Sequence, residues 1–205
     1  MRSLFLILLG ALIPFTAVAA DEAVEQAIVG THDVLRGHFI EERHLTGFNK
    51  PMRSEGHFVV APQQGLIWGM EKPFPTTTVI TPAGLVQSVN GISVMSLPAQ
   101  KIPFMRHLYD TLGGALTGNW AALETDLTVT RSGDEQNWQV TLVPRHTDNP
   151  AMPFSSISVS GHRFVENVAM LKTDGDSDTL TFMDSTVSSA PPTAAENRTF
   201  TSVHP

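Results

Sequence analysis

The sequence predicts a mainly β fold with some α: an unclosed, strongly curved antiparallel half-barrel of about ten or eleven strands. An N-terminal helix and a short helical lid are expected to cover it. Two observations lead there. Short segments rich in β-branched and aromatic residues recur along most of the chain, separated by Gly, Pro or Asn turns. Two stretches of helical period stand apart from them, one ahead of the first strands and one between two runs of strands. So many strands favour one large curved sheet, an incomplete barrel, whose concave side the helical pieces can fill. A β-sandwich is the alternative arrangement of the same strands.

The first twenty residues are read apart from the fold. MRSLFLILLGALIPFTAVAA opens with Arg2, runs apolar from Leu4 to Ile13 and ends in small residues. That is the pattern of a secretory signal peptide, with cleavage after Ala19 or Ala20, and it is short for a membrane span. Residues 21–205 are then expected to form a single domain in the periplasm. The chain has no cysteine, so neither disulfides nor thiol chemistry are available. A cysteine directly after the signal, which a lipid anchor would need, is also missing, so the domain is expected to be free in solution. A formal net charge of −7 argues against nucleic acid or an anionic membrane as electrostatic partner.

Taken in order, DEAVEQAIVGTHDVLRGHF starts with Asp21 as N-cap and Glu22 in the first turn. Val24, Ala27, Ile28, Val34 and Leu35 fall near helical spacing, which predicts an amphipathic helix over roughly 22–36. Gly30 weakens it by about 1 kcal/mol relative to Ala. HFIEERHL, EGHFVVA, GLIWGM, TTTVIT, GLVQSV and ISVMSL then read as strands of an antiparallel meander. Asn90-Gly91 is a two-residue hairpin turn. Alternation places Leu66, Trp68 and Met70 on one side of the sheet and Ile67 and Gly69 on the other. KIPFMRHLYDTLGGALTGNWAALE breaks the meander with apolar stripes at Met105, Leu108, Leu112, Leu116, Trp120 and Leu123, and Pro103 suits a first helical position. LTVTRS, NWQVTLVP, SSISVSG, FVENVAMLKT and DTLTFMDSTV return to strands, with RTFTSV near the end as a further candidate.

No residue pattern points to covalent chemistry. The eight histidines show no i, i+4 pair of a helical zinc site, and no metal or cofactor is expected. TDGDSDT has calcium-loop spacing at Asp174, Asp176 and Asp178, but Thr179 and Ser185 stand where that loop needs Gly and Glu. A polar hairpin turn at Asp174-Gly175 explains it better. There is no G-x-S-x-G elbow and no S-x-x-K set, and nothing positions Glu41, Glu42 or Asp110 as a carboxylate pair. The expectation is a protein that is not an enzyme. Its apolar residues are its one functional signal.

HFIEE, then SEGHFVVAPQQGLIWGMEKPFP, TPAG and IPFM together resemble the LolA family of periplasmic lipoprotein carriers. Phe39 matches the family's first Phe, with Glu41 where Gln is usual. Gly56 and Phe58 match its second strand, Trp68 and Pro73 keep its Trp-to-Pro spacing, and Gly84 sits at its turn. Pro103-Phe104-Met105 opens its lid segment. The resemblance implies an apolar cavity for acyl chains, formed by Phe39, Phe58, Leu66, Trp68, Met70 and Met170 with Phe104, Met105, Leu108 and Leu112 from the lid. Gly113, Gly114 and Gly118 are the implied hinges. One departure stands out: the family's Arg before Pro, which latches the lid, is replaced by Ala61 or Pro62.

The implied function is a soluble monomeric carrier that ferries acylated lipoprotein, or another lipid, from an inner-membrane donor complex to an outer-membrane acceptor. A glycolipid or acylated pigment precursor is the alternative cargo. A lipid-sensing regulatory module of the same fold is the alternative from another class.

Overall fold

The computed structural model describes residues 29–101, 124–134, 136–146 and 154–203. Eleven strands form one antiparallel, unclosed sheet: β1 (Val34–His44), β2 (Met52–Ala61), β3 (Gly65–Lys72), β4 (Thr76–Thr81), β5 (Gly84–Val89), β6 (Ile92–Pro98), β7 (Leu127–Asp134), β8 (Asn137–Pro144), β9 (Phe154–Gly161), β10 (Val165–Lys172) and β11 (Ser177–Ser188). Their order is β6-β5-β4-β3-β2-β1-β11-β10-β9-β8-β7, so β1 lies at the centre and β6 and β7 are the two edges. Two meanders, β1 to β6 and β7 to β11, are joined where β1 pairs antiparallel with β11.

Local chemistry explains the hairpins. Asn90 and Gly91 both take positive φ, 51° and 79°, the geometry whose twist matches that of flanking strands, and Val89 pairs with Ile92 across them. At the second polar turn Gly175 has φ 91° and Asp174 Oδ1 accepts from the Asp176 N–H, which joins β10 to β11 as expected. Alternation along the strands separates two apolar clusters. One includes Leu35, Phe39, Phe58, Val60, Leu66, Ile80, Leu142, Val159 and Phe182, and its side of the sheet is called the aromatic face below. The other gathers Val34, Val59, Ala61, Ile67, Val79, Val86, Phe200 and Val203 on the opposite side. Leu66 and Trp68 join the first cluster and Ile67 the second, as the period of two requires.

Two expectations need correction. The helix expected over 22–36 does not reach its end: Gly30 to Asp33 form a turn, with Asp33 N–H donating to the Gly30 carbonyl at 3.0 Å, and Val34, Leu35 and Arg36 already belong to β1. Val34 and Leu35 go to opposite faces of the sheet, a period of two that adjacent apolar residues disguise as a helical stripe. Residues 22–28 lie outside the described part, and so does the lid segment 102–123.

The second correction concerns RTFTSV, which is not a strand. Ala194–Phe200 is a helix, α1, capped by Thr193, whose side chain accepts from Glu196 N–H while the Glu196 carboxylate accepts from Thr193 N–H. The T-x-x-E spacing of this capping box stands in the sequence and outweighs the β-branched residues after it. Phe200 packs α1 against Val59, Ala61, Ile67 and Val79 on what is therefore the helix face.

Candidate functional site

Four rings gather at the middle of the aromatic face. Phe39 on β1 stacks on Trp68 of β3, with centroids 3.8 Å apart and planes at 23°. Phe182 of β11 meets Phe58 edge-on at 5.3 Å and Trp68 edge-on at 6.1 Å. Such offset and T-shaped arrangements follow from the quadrupoles of the rings, and each contributes about 0.5–1.5 kcal/mol beyond burial. Phe39 and Phe58 are fully buried, whereas Trp68 is half-buried.

Strand register creates the assembly. Phe58 sits opposite Trp68 on one side and opposite Gly37 on the other, and Phe39 sits opposite Phe182. Gly37 makes room: a Cβ there would lie 2.7 Å from the edge of the Phe58 ring. Leu66 belongs to the same apolar cluster, and Met170 packs against it. Met70 follows Trp68 by two residues on the same face, its sulfur 3.9 Å from the Thr76 hydroxyl.

The apolar face ends in charge. Moving along β1 past Phe39, the same side carries Glu41 and Arg43, opposite Leu180 and Asp178 of β11. Arg43 donates from Nε to Asp178 at 2.9 Å and from a terminal nitrogen to Glu41 at 2.9 Å, and Lys172 Nζ reaches Asp178 at 2.8 Å. Burial opposes the Arg43 charge, but Asp178 and Glu41 outweigh it and hold its pKa above the ordinary value. These paired acids and bases make the rim polar.

Of the residues that the sequence names as cavity lining, Phe39, Phe58, Leu66, Trp68, Met70 and Met170 lie on one face of the sheet. Phe104, Met105, Leu108, Leu112 and the hinge candidates Gly113, Gly114 and Gly118 fall outside the described residues. Phe182, Trp138 and the rim network are missed. The alternation of Leu180 with Phe182 in DTLTFMD carries the signal for Phe182, but which face it shares depends on β1 pairing β11, and no local pattern reports that. Trp138 is buried in the same cluster, and its ring N–H donates to the His162 carbonyl. Of the two residues at the position of the family's latch, Ala61 and Pro62, Ala61 packs into the cluster of the helix face.

A sequence model described as "Outer membrane lipoprotein carrier protein LolA-like" matches residues 14–170. The chain belongs to this LolA-like family. Among curated proteins, none matches it. Of solved structures, a LolA superfamily protein from Nitrosomonas europaea is similar with a TM-score of 0.44 and 9% identity, over 82% of this chain and 93% of that one. The MucA/MucB complex of Pseudomonas aeruginosa contains a chain similar at a TM-score of 0.46 and 12% identity, over 80% of this chain and 54% of that one. Family membership rests on the sequence match alone. A LolA-like chain of this kind is a lipid-binding carrier type, and the four rings lie in its buried apolar cluster, with Trp68 alone partly exposed.

Proposed function

We propose that this chain is a soluble periplasmic carrier that shelters acyl chains against its aromatic face and delivers lipoprotein, or a closely related lipid, from the inner to the outer membrane. The observation that carries the reading is the patch of Phe39, Phe58, Trp68 and Phe182, flanked by Leu66 and Met170 and bounded by the Arg43 rim. Water opposes exposure of a sixteen-carbon chain by about 12 kcal/mol, at about 0.8 kcal/mol per CH₂. A carrier must supply apolar surface of comparable extent. Rings supply large apolar area and thioethers adapt to chains of differing shape, so the two together suit this task.

In this reading the segment 102–123 acts as lid and Gly113, Gly114 and Gly118 as its hinges. Ala61 or Pro62 stands where the family has its arginine latch, and neither side chain can donate that hydrogen bond. The periplasmic address rests on the signal-like first twenty residues.

The test is direct. Chain recovered gently from periplasm is extracted and its lipids are identified by mass spectrometry, and the delipidated chain is titrated with a fluorescent palmitoylated peptide. Saturable binding is expected, weakened about tenfold in Trp68→Ala, which removes roughly 1.4 kcal/mol of contact. Folded chain that carries no lipid and ignores the palmitoylated peptide overturns the proposal.

A further inference from the structure

The helix face holds a groove that the carrier reading does not use. Between α1 and strands β4 to β6 lies a groove of about 520 Å³, lined by Thr77, Val79, Val86, Ser88, Ser93 and Ser96 of the sheet and by Arg198, Thr199 and Ser202 at the helix. Its floor is apolar and its walls are hydroxyls. Among the described residues, Arg198 is the one charged member of the lining, and its guanidinium has no ion pair or side-chain hydrogen bond there. Glu196, its neighbour on α1, is already bound bidentately to Arg36.

The groove runs beside β6, which pairs with β5 alone among the described strands. The sequence of β6, ISVMSLP, contains no charge, and Ile92, Val94 and Met95 are 70%, 58% and 38% exposed. The opposite edge differs: β7 carries Asp134 and Arg131, the latter paired with Glu124 at 2.7 Å. Charged side chains are how sheets deter unwanted partners at an edge, and only β7 has them. A register shift at β6 bends that strand, which limits pairing to a short stretch.

From these juxtaposed features we infer that β6 and the groove form one docking site for an extended segment of a partner protein that carries an acidic residue. Such a segment adds a strand to β6 by backbone hydrogen bonds. Its alternate side chains then fall on two sides. One set covers Ile92 and Met95, and the other enters the groove, where the hydroxyls take small polar groups and Arg198 takes the carboxylate. A second copy of this chain does not fit as well, since β6 has no carboxylate to answer Arg198.

The probes are two labelled nine-residue peptides that alternate Thr and Val, one with Asp at its centre on the Thr side and one with Asn there. Fluorescence anisotropy against the purified full chain is expected to show the Asp peptide binding about three- to fivefold tighter, the range of an exposed ion pair. Arg198→Gln should erase that preference and leave the Asn peptide unchanged. Val94→Lys should weaken both at least about tenfold by charging the edge. Both positions are exposed, and circular dichroism confirms that each variant is folded; should Val94→Lys unfold, Ile92→Lys replaces it. Failure of the native chain to bind either peptide overturns the inference, as does binding indifferent to both substitutions. So does a concentration-dependent dimer that Val94→Lys dissolves, which would assign the edge to a second copy.

Discussion

Phe58 lies over Gly37 because the two residues face each other across β1 and β2, and the ring needs the space that a side chain would take. A methyl group at Gly37 would meet the ring at 2.7 Å and the Met183 carbonyl at 3.0 Å, so neither side can yield cheaply. Gly37→Ala is therefore expected to destabilise the chain by about 1–3 kcal/mol, the usual cost of overpacking a filled site. Urea unfolding monitored by circular dichroism measures it. The same displacement tilts Phe58 against Trp68 and Phe182, so palmitoylated-peptide binding should weaken along with stability. A Gly37→Ala chain as stable as the native one would show that the ring does not rest on the glycine.

Helix α1 is one turn longer than its capping box and buries one large side chain, Phe200, so its propensity alone does not hold it in place. An ion pair between elements does much of that. Arg36 Nε and a terminal nitrogen donate to the two Glu196 oxygens at 2.7 Å each, across 160 residues of chain. Those hydrogen bonds, with two from Thr193, overcome burial and lower the Glu196 pKa from 4.5 to about 2. A folded-state pKa below the unfolded one means that the contribution is complete above pH 4.5 and fades as pH falls from there toward 2. Glu196→Gln should cost about 1–2 kcal/mol at neutral pH, since it removes a charge-assisted bidentate contact of a part-exposed pair. Thermal unfolding of both chains at several pH values tests this: their Tm difference should be constant above about pH 5 and close toward pH 2. The capping box could be read from Thr193 and Glu196 three residues apart, yet RTFTSV attracts a strand assignment through Thr and Val. That Arg36 is the partner of this helix could not be read at all, because it depends on which face β1 turns toward α1.

At the scale of the molecule, the division between what the sequence tells and what it withholds follows range. TTTVIT, GLVQSV and NWQVTLVP become strands with the bounds that their flanking turns mark, because a strand's length and alternation are local. The pairing of β1 with β11 is not local. It joins Arg43 to Asp178 and Phe39 to Phe182, and with them half of the aromatic cluster and the whole charged rim. Closing so long a loop carries an entropic cost that only many simultaneous contacts repay, so this seam should be the cooperative centre of the sheet. β1 is flanked on both sides along nearly its whole length, while β6 and β7 each have one neighbour among the described strands. Native-state hydrogen exchange should accordingly be slowest in β1, β2 and β11, opening only with global unfolding, and fastest in β6 and β7. Phe39→Ala, which removes a fully buried ring from the seam, should cost about 3–5 kcal/mol and speed exchange in all three central strands together. If β1 exchanged as fast as β6, or if Phe39→Ala loosened β1 and left β11 protected, the two meanders would be independent units side by side, and the aromatic face would not be a single surface able to hold one acyl chain.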